Sequence, residues 1–493
     1  MRKPIGFQAP EAPVHRWRAF AVLAVAFFMT IVDLTIVNVA LPTIGRKLNF
    51  TESNLQWVVT AYGLTFGGFL LLGGRAADLL GRRRLLMVGI AIFSAASLAC
   101  ALATGDSFLI AMRGVQGFGA AIILPAALSL VTNMFEEGAE RNKALGVWGG
   151  IGAAGATVGL IAGGLLTRYA GWQYIFFLNV PIGAAALLLA PRLVPESRLD
   201  TARRRYDPFG AIAVTAGLLV LVYAISKAPE VGWGAGRTIG LLATSGALLL
   251  AFLVVETRVE APLMPLRLFR IRTLAGGNAV SLLLGGGFFG FIFVGTLYMQ
   301  QVLGYSALQT GVAWLAASIT SVAFAGLAQA LVTRGSVKLP MALGMALIGG
   351  GILWTTRVPP NGHFWTDLAG PFFIAGIGTA FGFIPVTIAG LAGTAEHESG
   401  LASGLLNTSQ QVGGAIGVAI ASTVATSHST TLAHQGRVPV AALTGGFQWA
   451  FWVCGLIALA GVPVTFLLIR RRDLVKAPAA EGVQELRPAF ATD

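Results

Sequence analysis

FMTIVDLTIVNVALPTI, residues 28–44, lies in an apolar run long enough to cross a bilayer and carries a single carboxylate, Asp33. An ionisable side chain at that depth is costly unless it is hydrated, paired or protonated, so it marks a functional site by default. The rest of the chain has to explain why it is tolerated.

Composition sets the class. Charged residues make up 11% of the 493 positions and hydrophobic ones 55%, with 64 glycines and a mean hydropathy of +0.76. That balance belongs to a polytopic membrane protein. The net charge of +13 raises the idea of nucleic-acid binding, but Lys and Arg sit in short segments between apolar runs rather than on one patch. No nucleic-acid partner is expected. Cys100 and Cys454 both lie in apolar segments far apart in sequence, so no disulfide framework is read from them. The basic N-terminus followed by an apolar run imitates a signal peptide; its run is too long, holds Asp33 and lacks a clear cleavage site, so it is expected to stay attached.

Apolar windows of bilayer length occur fourteen times, the least clean being 172–192 and 399–426, which begin with polar groups. An even number puts both termini on one side. Placing them in the cytoplasm assigns 26 of the 34 Lys and Arg to that side and seven to the other, with Arg113 alone inside a span. This asymmetry fixes the orientation. The longest basic linker, RLVPESRLDTARRRYD at 192–207, precedes two spans with little polar content, and a second linker, ETRVEAPLMPLRLFRIR at 256–272, follows them.

The expected organisation is therefore a cytoplasmic N-terminus over 1–17, a six-helix bundle over 18–192, a linker over 193–207, an inserted two-helix hairpin over 208–255, a linker over 256–273, a second six-helix bundle over 274–469 and a cytoplasmic tail over 470–493. Two pseudo-equivalent bundles around a central path are the arrangement of parallel-repeat transporters, with the hairpin at the periphery. The tail beyond Lys476 has too little apolar periodicity to pack.

Several motifs carry chemistry. In GGRAADLLGRRRLL, residues 73–86, Gly74 lies one turn before Asp78 and allows close helix approach; Asp78 can accept hydrogen bonds, and Gly81 permits a tight turn before Arg82 and Arg83. Such a loop can latch one conformation, or its arginines can serve topology alone. Arg113 and Gln116 share a helix face with Gly117 and Ala120. Arg113 either reaches the headgroups by snorkelling or partners Asp33, for which the sequence offers no other intramembrane cation. Gly152, Gly155, Gly159 and Gly163, with Gly164 beside them, give one helix a face of little but backbone for tight packing. Aromatic and amide side chains suit an apolar ligand with a few polar groups: Phe289, Tyr298, Phe381, Asn407 and Gln411 in the second half, and Asn38, Tyr62 and Gln116 in the first.

Missing chemistry also decides. None of the six lysines follows a glycine, so there is no Walker A loop; the five histidines show no metal-ligand spacing; no nucleophile, base and orienter set is found. Neither a metal site nor an enzyme is expected.

GRAADLLGRR resembles the loop signature of the major facilitator superfamily. DLTIVNVALP (33–42), RGVQGFGAA (113–121), GWQYIFFLNVPIG (171–183) and GLASGLLNTSQQVGGAIG (400–417) resemble its drug:proton antiporter branch with fourteen spans. The resemblance implies an all-α major facilitator fold of two six-helix bundles plus the hairpin, a proton-coupling role for Arg113 with Asp33, and an antiporter motif over Gly155–Gly164. Two positions depart from it: Leu160 stands where the family carries proline, and Ala330 stands where the second half would repeat the loop aspartate.

The expected function is proton-coupled efflux of lipophilic or cationic drugs, antibiotics or related small molecules across the cytoplasmic (inner) membrane by alternating access. No cofactor is expected, the proton gradient being the driver, and the partners are substrate, protons and membrane lipids around a functional monomer. The alternatives are an exporter or flippase of an endogenous metabolite or lipid, or a nutrient facilitator or importer.

Overall fold

The computed structural model describes residues 16–135, 139–197, 208–259, 262, 264, 266–334, 337–391 and 399–469. Most of the linker and tail assignments, together with His15 and His397, lie outside the described residues.

Inside a bilayer every backbone polar group needs an internal partner, which the helix supplies. Among the described residues fourteen long helices and no strands occur. They are α1 (Arg16–Lys47), α2 (Trp57–Leu80), α3 (Arg82–Ala101), α4 (Asp106–Met134) and α5 (Ala139–Tyr169); α6 (Asn179–Leu193), α7 (Pro208–Val231), α8 (Gly236–Arg258), α9 (Arg272–Leu297) and α10 (Ala307–Arg334); and α11 (Lys338–Trp354), α12 (Ala369–Leu391), α13 (Ser399–His434) and α14 (Pro439–Leu468).

The two unclean windows resolve differently. A short helix over Tyr174–Phe177 runs into α6 and makes a 20-residue span, about 30 Å long at helical rise. In turn α13 absorbs its polar residues within 36 residues. Gly81, at φ +106°, breaks the chain between α2 and α3, a conformation open to glycine and strained for other residues.

Packing repeats with the helix order. In the first six helices α1 packs on α5 and α6, α2 on α4, and α3 on α4 and α6; in the last six α9 packs on α13 and α14, α10 on α12, and α11 on α12 and α14. Each pairing recurs eight helices later. The main contacts between the bundles, α2 with α13 and α5 with α10, are exchanged by the same relation. The chain thus holds two parallel repeats facing one another.

The bundles meet closely at the end bearing the turn between α1 and α2. A Cβ at Gly164 of α5 would lie 2.7 Å from Leu308 Cα of α10, and Gly311 of α10 faces the Leu160 carbonyl. Nearby, Gln300 Nε2 donates to the Val39 carbonyl at 2.8 Å. A single apolar core, including Val37 and Leu41 of α1 and Phe291 and Val294 of α9, fills this region.

The hairpin is only half peripheral. α8 packs on α7 and presents Leu250 and Leu253 outward, as expected of a lipid-facing helix. α7 instead lies along the α2/α13 seam, where Leu218 and Val222 join Leu64 of one bundle and Val412 of the other. Gln56 Nε2 donates to Ser226 Oγ at 2.8 Å, and Thr423 Oγ1 donates to the Ile225 carbonyl at 3.4 Å. One hairpin helix is therefore tied to both bundles.

Candidate functional site

Asp33 is fully buried within the first bundle, and α1 turns it towards α3, α4 and α6. Arg113, brought in by α4 and 1% exposed, puts Nη1 2.5 Å from Asp33 Oδ2. The guanidinium points into the bundle rather than to the headgroups. Its Nε donates to the Val58 carbonyl of α2 at 2.8 Å, and its Nη1 also donates to Gln116 Oε1 at 2.7 Å. The Tyr62 ring lies against it, centroid 4.4 Å from Cζ. A buried arginine is thus met by a carboxylate, a carbonyl, an amide oxygen and a π face, which offset much of its lost hydration.

The other carboxylate oxygen is held by neutral groups. Gln116 Nε2 donates to Asp33 Oδ1 at 2.8 Å and Asn179 Nδ2 to the same oxygen at 2.9 Å. Both amides also donate to Ser97 Oγ, at 3.2 and 3.0 Å, and Ser97 donates onward to the Phe176 carbonyl at 3.0 Å. Five of the first six spans converge here. A satisfied network of this kind fixes the carboxylate in place, and removing any member leaves a neighbour unpaired.

Sequence reasoning named Asp33, Arg113, Gln116 and Tyr62 but missed Ser97 and Asn179. Asn179 was visible as an amide within the quoted GWQYIFFLNVPIG stretch. Ser97 had no signal, since a serine in an apolar helix usually returns its hydroxyl to its own backbone.

A second feature lies between the bundles. Asn38, Thr60 and Gly63 on one side face Phe289, Gln411 and Gly414 on the other, around a cavity of about 20 Å³. That is room for a water rather than a drug. Here the two bundles bring together Asn38, Phe289 and Gln411. Tyr298 lies elsewhere, its hydroxyl donating to the Pro359 carbonyl at 2.7 Å; Phe381 packs with Ala328 between α10 and α12; and Asn407 donates to the Ser403 carbonyl of its own helix at 3.0 Å. Tyr62 and Gln116 belong to the ionic network.

The glycine face of α5 is divided. Gly152, Gly155, Gly159 and Gly163 face Phe27, Ile31, Thr35 and Ile36 of α1, whereas Gly164 faces α10. α5 runs unbroken through Leu160.

In the loop at Gly81, Arg82 and Arg83 dock on the chain leaving α6. Arg82 N–H donates to the Ser197 carbonyl at 2.9 Å, Arg83 N–H to Glu196 Oε1 at 3.0 Å, and Arg83 Nη1 to the Val194 carbonyl at 3.1 Å. Gly74 lets α2 approach Pro125 of α4, 3.2 Å from where its Cβ would be. The side chain of Asp78 lies outside the described part of the structure.

Comparisons with known proteins bear on this arrangement. The chain is 36% identical over 494 residues to the puromycin resistance protein pur8 of Streptomyces alboniger, with 98% of each chain covered. It is 37% identical over 409 residues to the cephamycin export protein CmcT of Amycolatopsis lactamdurans, covering 82% of this chain and 84% of that one. It is also similar in fold to a crystal structure of a bacterial homolog to the human lysosomal transporter Spinster, in an inward-facing and unoccupied conformation. That match has a TM-score of 0.66 at 14% identity over 95% of this chain and all of the other. Residues 23–418 match the description Major Facilitator Superfamily. With the two helix repeats and these relatives together, the chain belongs to the Major Facilitator Superfamily.

Proposed function

We propose that this protein exports small apolar drugs, antibiotics or related compounds across the cytoplasmic membrane in exchange for protons, by alternating access. The observation that carries the reading is the fully buried Asp33–Arg113 pair in its amide and hydroxyl cage, with α1, which carries Asp33, also lining the cleft between the bundles through Leu34 and Asn38. The curated relatives named for puromycin resistance and cephamycin export support the direction of transport and the substrate class.

The positive-inside asymmetry puts the Gly81 face and both termini in the cytoplasm. The closely packed end near Gly164 and Gly311 then faces outward, and the conformation is one closed to the outside. In the cycle, Asp33 takes a proton when the outer side opens, and Arg113 falls back on the Val58 carbonyl and Gln116. When the cytoplasmic side opens, the proton leaves, the pair re-forms, and substrate enters the cleft. Each proton moving inward releases about 2.3 kcal/mol per 100 mV, which drives substrate outward. Arg82 and Arg83, docked at the end of α6, hold the cytoplasmic ends of α3 and α6 together through this motion.

The test is substrate uptake into inside-out vesicles containing the purified protein under an imposed pH gradient. Wild type alkalinises the lumen in step with substrate entry, whereas Asp33→Asn moves substrate without responding to the gradient. Proton-driven efflux that survives in Asp33→Asn would falsify the coupling role.

A further inference from the structure

Threonines in these helices commonly return their hydroxyl to the carbonyl four residues back, as Thr65 does to Ala61, Thr379 to Ala375 and Thr444 to Val440. Thr60 does not. Its Oγ1 is buried and has no hydrogen-bond partner among the described residues, and the residue stands in the wall of the cleft between the bundles. A buried hydroxyl without a partner is costly unless something else binds it.

Two amides share that wall. Asn38 uses Nδ2 on the Leu34 carbonyl at 2.9 Å, which leaves Oδ1 as its remaining acceptor. Gln411 reaches across from α13 over Gly63, where its Oε1 lies 3.9 Å from the position a Cβ would take. Otherwise the wall is apolar or glycine, and none of the described residues lining it is ionisable. Asp33 precedes the cleft residue Leu34 but faces away from the cleft, fully buried, with its oxygens held by Arg113, Gln116 and Asn179.

We propose that Thr60, Asn38 and Gln411, when the bundles part around this water-sized cavity, form a binding subsite for an uncharged hydrogen-bonding group, such as a carbonyl, amide or hydroxyl, on an otherwise apolar ligand, and that Asp33 does not contact the ligand. The inference rests on reading the chain as an exporter and sharpens its substrate class. A cation entering this cleft would give up hydration with no carboxylate to replace it. A neutral acceptor gains the Thr60 hydroxyl and the Gln411 amide at no such cost. The proton site and the ligand site are then separate, joined by backbone: Arg113 binds the Val58 carbonyl two residues before Thr60, and Asp33 and Asn38 ride on the same helix.

The test is equilibrium binding to the full-length protein in lipid nanodiscs at one pH and with no gradient. Two probes of nearly equal size and shape serve: triphenylphosphine oxide, which is neutral with a strong acceptor oxygen, and the methyltriphenylphosphonium cation. The oxide is expected to bind at least about tenfold more tightly than the cation. Thr60→Val and Gln411→Leu should each weaken the oxide by about fivefold, the loss of one hydrogen bond, with Thr60→Ser restoring it. The proposal is overturned by cation binding as tight as that of the oxide, by cation binding that disappears in Asp33→Asn, by oxide binding indifferent to Thr60→Val, or by no oxide binding. Because no gradient is applied, loss of proton-driven efflux with this selectivity intact would count against the export reading and leave the subsite standing.

Discussion

Arg113 Nη1 lies 2.5 Å from Asp33 Oδ2 across 80 residues of sequence, and neither side chain is more than 1% exposed. A pair so placed is expensive to split. Removing one partner strands a charge in low dielectric, a cost of about 3–5 kcal/mol, whereas replacing both with neutral groups of similar volume is far cheaper. Arg113→Ala should therefore lower the thermal unfolding midpoint in detergent well below that of the double variant Asp33→Asn/Arg113→Gln. Equal losses in the two would show that the pair is not held as a unit.

Asn179 supplies one of the two neutral donors to Asp33 Oδ1 and a second bond to Ser97. Asn179→Leu keeps the branched heavy-atom shape and removes both. It should destabilise the protein by about 1–3 kcal/mol and cut proton-driven efflux, while Asn179→Gln, which can still donate, retains part of each. Efflux and melting in detergent, measured on the same preparations, check this; wild-type values for the leucine variant would remove Asn179 from the network.

Gly164 and Gly311 set the approach of α5 and α10, since a Cβ at Gly164 would sit 2.9 Å from the Ala307 carbonyl. Gly164→Leu should hold that end of the two bundles apart without disturbing the packing of α5 on α1, which uses Gly152, Gly155, Gly159 and Gly163. The expected outcome is a folded protein without transport, in which a cysteine introduced at Leu308 is labelled faster by a membrane-impermeant maleimide. Normal transport would mean that this close approach is not a step in the cycle.

Ser226 accepts the Gln56 amide at a buried position where the hairpin meets the α2/α13 seam. Ser226→Val leaves that amide facing a methyl group, at about 1–3 kcal/mol. Hydrogen exchange over residues 208–231 should speed up, with α8 following because it packs on α7. Unchanged exchange in α7 would mean that its anchorage does not depend on the Gln56–Ser226 hydrogen bond.

The sequence by itself determined much of this. The apolar windows and the alternation of basic loops specified an all-helical chain that crosses the membrane many times, because membrane insertion is governed by local hydrophobicity and flanking charge. Asp33 and Arg113 were legible for the same reason: a charge in an apolar window stands out, and each is the other's only deep counter-charge. Tertiary structure decided the rest. Ser97 and Asn179 complete the network because α3 and α6 carry them to α1, and nothing local distinguishes them from serines and asparagines that bond their own backbone. Similarly, only the meeting of two bundles groups Asn38 and Thr60 with Phe289 and Gln411, while Tyr298 and Phe381, equally good by residue type, are turned elsewhere. The position of α7 across the seam was also hidden, because its apolar sequence suits lipid and a helix interface alike.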